Sequence, residues 1–333
     1  MLLFLATVLE QLDLALEHIS KRDIHNARFG LMLTDNAIEL VLHQIAKDEE
    51  RNLKSFSYLR KNYPHGRALE KALQRSFDAK LKFARLLGRV TEESQLTIAI
   101  MHGFRNEVYH VGLQHESILP AIAVFYFDTI CRTLEKYDPR GLGWGSNQKL
   151  PERAKKYFHG PDFFPGEAGD FQKGCATLVS ACAHNIAETI TVLADHIDEV
   201  VADQDTCIGI VSDGVYVGQQ RTRDKAVIET QAWKLAFSED AKKYAQSRKW
   251  GGGNMLQFVD WLAEEFPFKV RRDPIPSWEK RAQTLRAETN AHAALARYHS
   301  FMTETAALRE ALMESAAAAE AEIDAAIDRA RGK

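Results

Sequence analysis

The sequence predicts a mainly α-helical protein in two parts: an N-terminal helical bundle, then a mostly helical region with a small β-hairpin and a long C-terminal helix. Three observations carry that expectation. Apolar residues recur at intervals of three and four over most of the chain, which is the period of one helix face. Gly and Pro concentrate between Pro139 and Gly166, where regular structure should break. With 333 residues the chain is long enough for two domains, taking about 100 to 200 residues for each.

From residue 3 to 20, Leu5, Leu9, Leu12 and Leu16 fall at helical spacing. A second helix from Ile24 to Lys47 places Phe29, Leu33, Ala37, Leu40 and Ile45 on one broad apolar face, and these two helices are expected to pack together. A polar connection around Tyr63-Pro64-His65-Gly66 leads to a helix over 67–87, which Gly88 terminates by taking a left-handed conformation. Thr91 starts the next helix, Glu92 and Glu93 suit its positive end, and Leu96, Ala99, Ile100 and Phe104 form its apolar side. Residues 118–137, with Ile122, Phe125, Ile130 and Leu134, close the bundle and set a first domain at 1–138. Gly141, Gly143, Gly145 and Ser146, followed by Gly160-Pro161 and Pro165-Gly166, make 139–170 a linker.

Within 171–276, a helix to about residue 202 precedes the one strand-like signal, Cys207-Ile208-Gly209-Ile210-Val211, Ser212-Asp213-Gly214 and Val215-Tyr216-Val217. Asp-Gly between β-branched runs predicts a hairpin near 207–217. Helices follow over 224–248 and 254–265, joined at Gly251-Gly252-Gly253. That triple glycine follows no strand and lacks the Gly-Lys-Ser/Thr ending of a phosphate-binding loop, so it reads as a joint. Residues 277–333 form a long Ala-rich helix with Phe301, Leu308, Leu312, Ile323 and Ile327 on a seam that Ala319 makes shallow. Such a seam packs on its own protein, pairs with a second copy, or meets a protein partner or inhibitor.

A net charge of -3 gives no global basic field of the kind that non-specific nucleic-acid binders carry, so any RNA contact must be local. Basic residues do cluster at Lys54, Arg60, Lys61, Arg67, Lys71 and Arg75, and continue through Lys80, Lys82, Arg85 and Arg89; the alternative reading is a solvated helix face. Cys131, Cys175, Cys182 and Cys207 make no Cys-x-x-Cys pair and no metal-ligand spacing with histidine, and His184 and His196 lack a zinc-protease spacing. Reduced thiols, no metal and no cofactor are the expectation. The opening Met1-Leu2-Leu3-Phe4-Leu5-Ala6 has no basic flank, and Glu10 and Asp13 interrupt its apolar run, which argues against a secretion signal. No run of about 18 apolar residues suggests a membrane span, so a cytoplasmic protein is expected.

Arg105-Asn106-Glu107-Val108-Tyr109-His110 places a permanent cation, an amide and a side chain that titrates near neutrality at the end of an apolar helical run. These are the groups needed to attack a phosphodiester. The spacing alone is common: Arg and His are similarly separated at Arg60 and His65, Arg153 and His159, and Arg286 and His292. Context distinguishes the copy at 105–110, because Asn106 follows the Arg, an amphipathic segment precedes it and Gly112 follows. If the helix continued, Arg105 and His110 would be about 500° apart in rotation, so they converge better if it ends between them.

The stretch FRNEVYH, behind helical segments that include LMLTDNAIELVLHQIAK, resembles the HEPN domain, a small helical bundle. The resemblance covers about residues 1 to 138. Nuclease members of that superfamily carry Arg, four to six residues, then His, often with a polar residue after the Arg. The resemblance implies a homodimer with both motifs in one cleft, RNA cut without a metal, and a setting such as toxin or anti-phage defence. It nominates Arg105, Asn106 and His110 as catalytic. His110 would act as general base or acid and Arg105 would neutralise charge growing on the phosphate oxygens, giving a 2′,3′-cyclic phosphate and a 5′-hydroxyl. One motif histidine per chain argues for a dimeric site, unless a neighbour such as His102 or His115 takes part. Tyr109 either stacks a base or packs in the core. Asp35, Glu39 and His43, at intervals of four, either line the cleft and tune His110 or form an exposed helix face. The rival to an endoribonuclease is a non-catalytic helical interaction or scaffold protein whose Ala-rich tail binds a partner.

Overall fold

The computed structural model describes residues 1–56, 63–110, 116–139, 141–145, 147–161, 163–167, 169–216 and 218–331, with the side chains of 108–110 outside the described set. Among the described residues the regular structure is helical throughout. The helices are α1 (Leu2–Ile19), α2 (Ile24–Ser55), α3 (Gly66–Ala72), α4 (Phe77–Leu86), α5 (Glu92–His110), α6 (Leu119–Leu134) and α7 (Asp170–Cys182). They are followed by α8 (Ile186–Asp213), α9 (Arg223–Ala236), α10 (Glu239–Ser247), α11 (Met255–Glu265), α12 (Ile275–Arg286) and α13 (Ala291–Ala330). The chain forms two compact units, one of Met1–Leu193 with Glu288–Ala296, the other of Ala194–Ala287 with Arg297–Lys333.

In the first unit α1 and α2 pack side by side. Leu2, Leu9 and Leu12 of α1 are fully buried, as are Leu31, Ala37 and Val41 of α2. Close approach depends on Gly30, where an added Cβ would fall 2.2 Å from Ile19 Cγ2. Asp23 starts α2 by accepting a hydrogen bond from the Asn26 amide at 2.9 Å, and Thr91 accepts one from the Ser94 amide at 3.1 Å at the start of α5. Helix α6 is the central element, with Ile122, Tyr126, Phe127 and Ile130 fully buried.

The Gly- and Pro-rich stretch 139–170, expected as a linker, lies in this first unit and is tied to α1. The Leu2 amide donates to the Gly143 carbonyl at 3.2 Å. Buried Asp13 accepts from Tyr157 Oη at 2.6 Å and from Arg153 at 3.2 Å, and pairs with Lys156 at 2.5 Å.

Among the described residues the expected hairpin near 207–217 is not present. Cys207 to Asp213 instead complete α8, and Val217 lies outside the described residues. The reason is packing. Gln204, Ile208, Val211 and Ser212 are buried at the three- and four-residue intervals of a helix face, and burial outweighs the strand preference of isoleucine and valine. Asp213-Gly214 ends the helix rather than turning a ribbon, with Gly214 at φ +74 in the left-handed conformation typical just past a helix end.

In the second unit α9 and α11 share a core of Ala232, Ala236, Phe258, Val259 and Leu262, against which Trp250 and Trp261 pack. Asn254 and Gln257 form a reciprocal capping box at the start of α11. Among the described residues no single helix is long and apolar enough to cross a membrane; α7 and α8 have the composition for a span only as a pair bent by 59°.

Candidate functional site

The sequence-predicted residues that the structure describes meet in the first unit, where four helices converge. Helix α2 carries Asp35 and Glu39 one turn apart, α5 carries His102, Arg105 and Asn106 at helical spacing, α6 supplies Tyr126, and α4 supplies Phe77 and Lys80. Asp35 is the hub. It has no exposed surface, and its oxygens accept from Arg105 Nε at 2.8 Å, from His102 Nδ1 at 3.0 and 3.2 Å, and from Tyr126 Oη at 2.8 Å. Asp35 is therefore not part of an exposed helix face.

Around that hub, Arg105 NH1 donates to Asn106 Oδ1 at 2.9 Å, and NH2 lies 3.7 Å from Glu39 Oε2. Glu39 also pairs with Lys80 at 3.1 Å, and Lys80 itself is buried. The His102 ring stacks on Phe77 with centroids 3.7 Å apart and planes 3° from parallel. Arg105 and His102 remain partly open, with 26% and 18% of their side-chain surface exposed.

The electrostatics follow from these contacts. Burial would push the Asp35 carboxyl up, but hydrogen bonds from His102, Tyr126 and Arg105 outweigh it and hold the group below its ordinary value of 3.8. The same burial, with the Asp35 charge beside it, raises the Tyr126 phenol well above its usual range, so it stays a neutral donor. His43 is not hydrogen-bonded through Nδ1, which is buried without a partner, and burial followed by the charges of Lys47 and Lys80 lowers its pKa.

The motif's second half is placed by its backbone alone. Helix α5 runs unbroken through Tyr109 and His110, so it does not end between Arg105 and His110, and these positions lie about 140° apart around the axis. The side chains of Tyr109 and His110, and all of Gly112 and His115, lie outside the described residues.

Sequence reasoning missed Tyr126, hidden in the apolar run of α6, and Phe77; it named Lys80 only as one of many basic residues and His102 only as a neighbour. The signal for His102 was present. His102, Arg105 and Asn106 stand at i, i+3 and i+4 on α5, matching the i, i+4 pair Asp35 and Glu39 on α2.

The basic side chains lining the second unit's cavity are paired. This cavity of about 490 Å³ is lined by Trp233, Phe237, Arg221 and Lys234, but Arg221 pairs with Glu229, and Lys234 with Glu310 and Glu314. Burial pushes the Cys182 thiol up to about 12, far from a reactive thiolate. Among the described residues no three His, Cys, Asp or Glu side chains group as a metal site. In comparison with known proteins, the chain matches no protein family, no curated protein and no solved structure.

Proposed function

We propose that the first unit is a metal-independent endoribonuclease of the HEPN type, acting as a homodimer, with Arg105, Asn106 and His110 as its catalytic residues. The observation that carries the reading is the buried Asp35 carboxylate gripping one edge of a half-open guanidinium. A fixed, partly dehydrated cation is what stabilises charge developing on a phosphate, because it needs no reorganisation during the reaction. Asp35 takes Nε and Asn106 takes one N–H of NH1, out of the five N–H donors that a guanidinium carries. In the reaction, the RNA 2′-oxygen forms a bond to phosphorus as His110 takes its proton, and the bond from phosphorus to the 5′-oxygen breaks as that oxygen keeps the electron pair and takes up a proton from a general acid. The products are a 2′,3′-cyclic phosphate and a 5′-hydroxyl. Toxin activity or anti-phage defence is the setting this chemistry fits.

A second reading is a non-catalytic interaction protein. It is favoured by the same ion pair, since Arg105 spends much of its charge on Asp35 and Glu39. End-labelled RNA incubated in EDTA with the wild type, Arg105→Lys, Arg105→Ala and His110→Ala separates the two. On the nuclease reading the wild type cuts and leaves cyclic-phosphate ends, and each variant falls by about a hundredfold or more while remaining folded. No cutting by wild type at any RNA concentration favours the interaction protein.

A further inference from the structure

His102 stands one turn before Arg105 on α5 and has the surroundings of an oriented proton carrier. Its Nδ1 faces both oxygens of Asp35, which can only accept, so Nδ1 carries a proton and donates it. That fixes the tautomer: Nε2 is the nitrogen that gains or loses a proton. Phe77, stacked flat on the ring, fixes its plane, and Asp35 is itself held by Tyr126 and Arg105. A carboxylate behind a histidine steadies the cationic ring, as in other carboxylate-oriented histidines. A purely structural histidine needs none of this while keeping part of its side chain exposed beside a partly exposed arginine.

We propose that His102 is the general acid of the site, with Asp35 as its positioning residue. This inference rests on the ribonuclease reading above. The proton on His102 Nε2 passes to the 5′-oxygen as that oxygen takes the electron pair of its breaking bond to phosphorus, while His110 takes the proton of the attacking 2′-hydroxyl. Each histidine ends in the protonation state the other began with, and a proton exchange with water restores both. Positions 102 and 105 lie one turn apart on α5, both partly exposed, so a phosphate held on Arg105 has His102 beside it.

The test uses an oligoribonucleotide with one linkage that the wild type cuts, made with either the natural 5′-oxygen or a 5′-sulfur leaving group. Sulfur leaves without being protonated, so it bypasses a missing acid. His102→Asn keeps a donor for Asp35 and removes Nε2; His102→Gln is the second variant should the first melt below the assay temperature. The expected result is a loss of about a hundredfold or more on the oxygen substrate, with cleavage of the sulfur substrate at nearly the wild-type rate. His110→Ala should be slow on both. Equal cutting of the oxygen substrate by His102→Asn and wild type overturns the acid role, as does equal loss on both substrates in a folded variant. Either result leaves the ribonuclease reading standing, whereas wild type that cuts neither substrate removes both.

Discussion

A carboxylate with no exposed surface keeps its charge only where its partners replace the hydration it has lost. Asp35 does so with a guanidinium, an imidazole and a phenol drawn from two other helices. Removing it strands all three donors. Asp35→Ala is therefore expected to lower the unfolding free energy by about 3 to 5 kcal/mol, read from the urea midpoint at constant slope. A midpoint within experimental error of wild type would show that the network contributes nothing net. The stripe of Asp35 and Glu39 was legible in the sequence, since spacing alone puts them on one face. Its burial was not legible, because what covers Asp35 is Tyr126 on α6, and nothing in an apolar run distinguishes a tyrosine that donates to a buried carboxylate from one that merely packs.

At the level of helices, the apolar period located nearly every helical region, but four expected single helices are each broken in two. The breaks fall where a short polar side chain turns back on the backbone. Ser76 and Ser238 accept from the Ala79 and Ala241 amides at 3.2 Å each, Asn185 from Ala187 at 3.0 Å, and Asn290 from His292 at 2.8 Å. Serine and asparagine are tolerated inside a helix as well as at its start, so composition does not say which role applies. The strand-like run of α8 is the opposite case, where local preference is strong and packing overrules it. Gly209 within that run weakens the helix without serving contact, as an added Cβ would meet nothing within 4 Å. Gly209→Ala should therefore stabilise the protein by about 0.5 to 1 kcal/mol. A drop in melting temperature would mean that the backbone at 209 needs glycine for a reason packing does not reveal.

Across the whole chain, the stability should respond to acid in two steps. Burial outweighs the nearby carboxylates and lowers the pKa of His184, His196 and His292 below their ordinary 6.5. The unfolded chain then binds more protons than the folded one as pH falls through that value, so stability is full above it and declines below it. Asp13 and Asp35, held below 3.8, add a second decline as the unfolded carboxylates protonate near that pH and the folded ones resist. Thermal melts at pH 7.5 and 5.5 check the first step: the melting temperature should fall, and fall less in His292→Gln, whose wild-type ring is bonded to Thr97. A flat profile would contradict the burial of these rings. The Gly- and Pro-rich stretch has a different consequence. Its composition is that of a segment proteases cut readily, yet Arg153 and Lys156, both trypsin targets, are clasped by Asp13. Cleavage at these two residues therefore reports whether α1 has let go, and the stretch serves as a built-in gauge of the first unit's integrity.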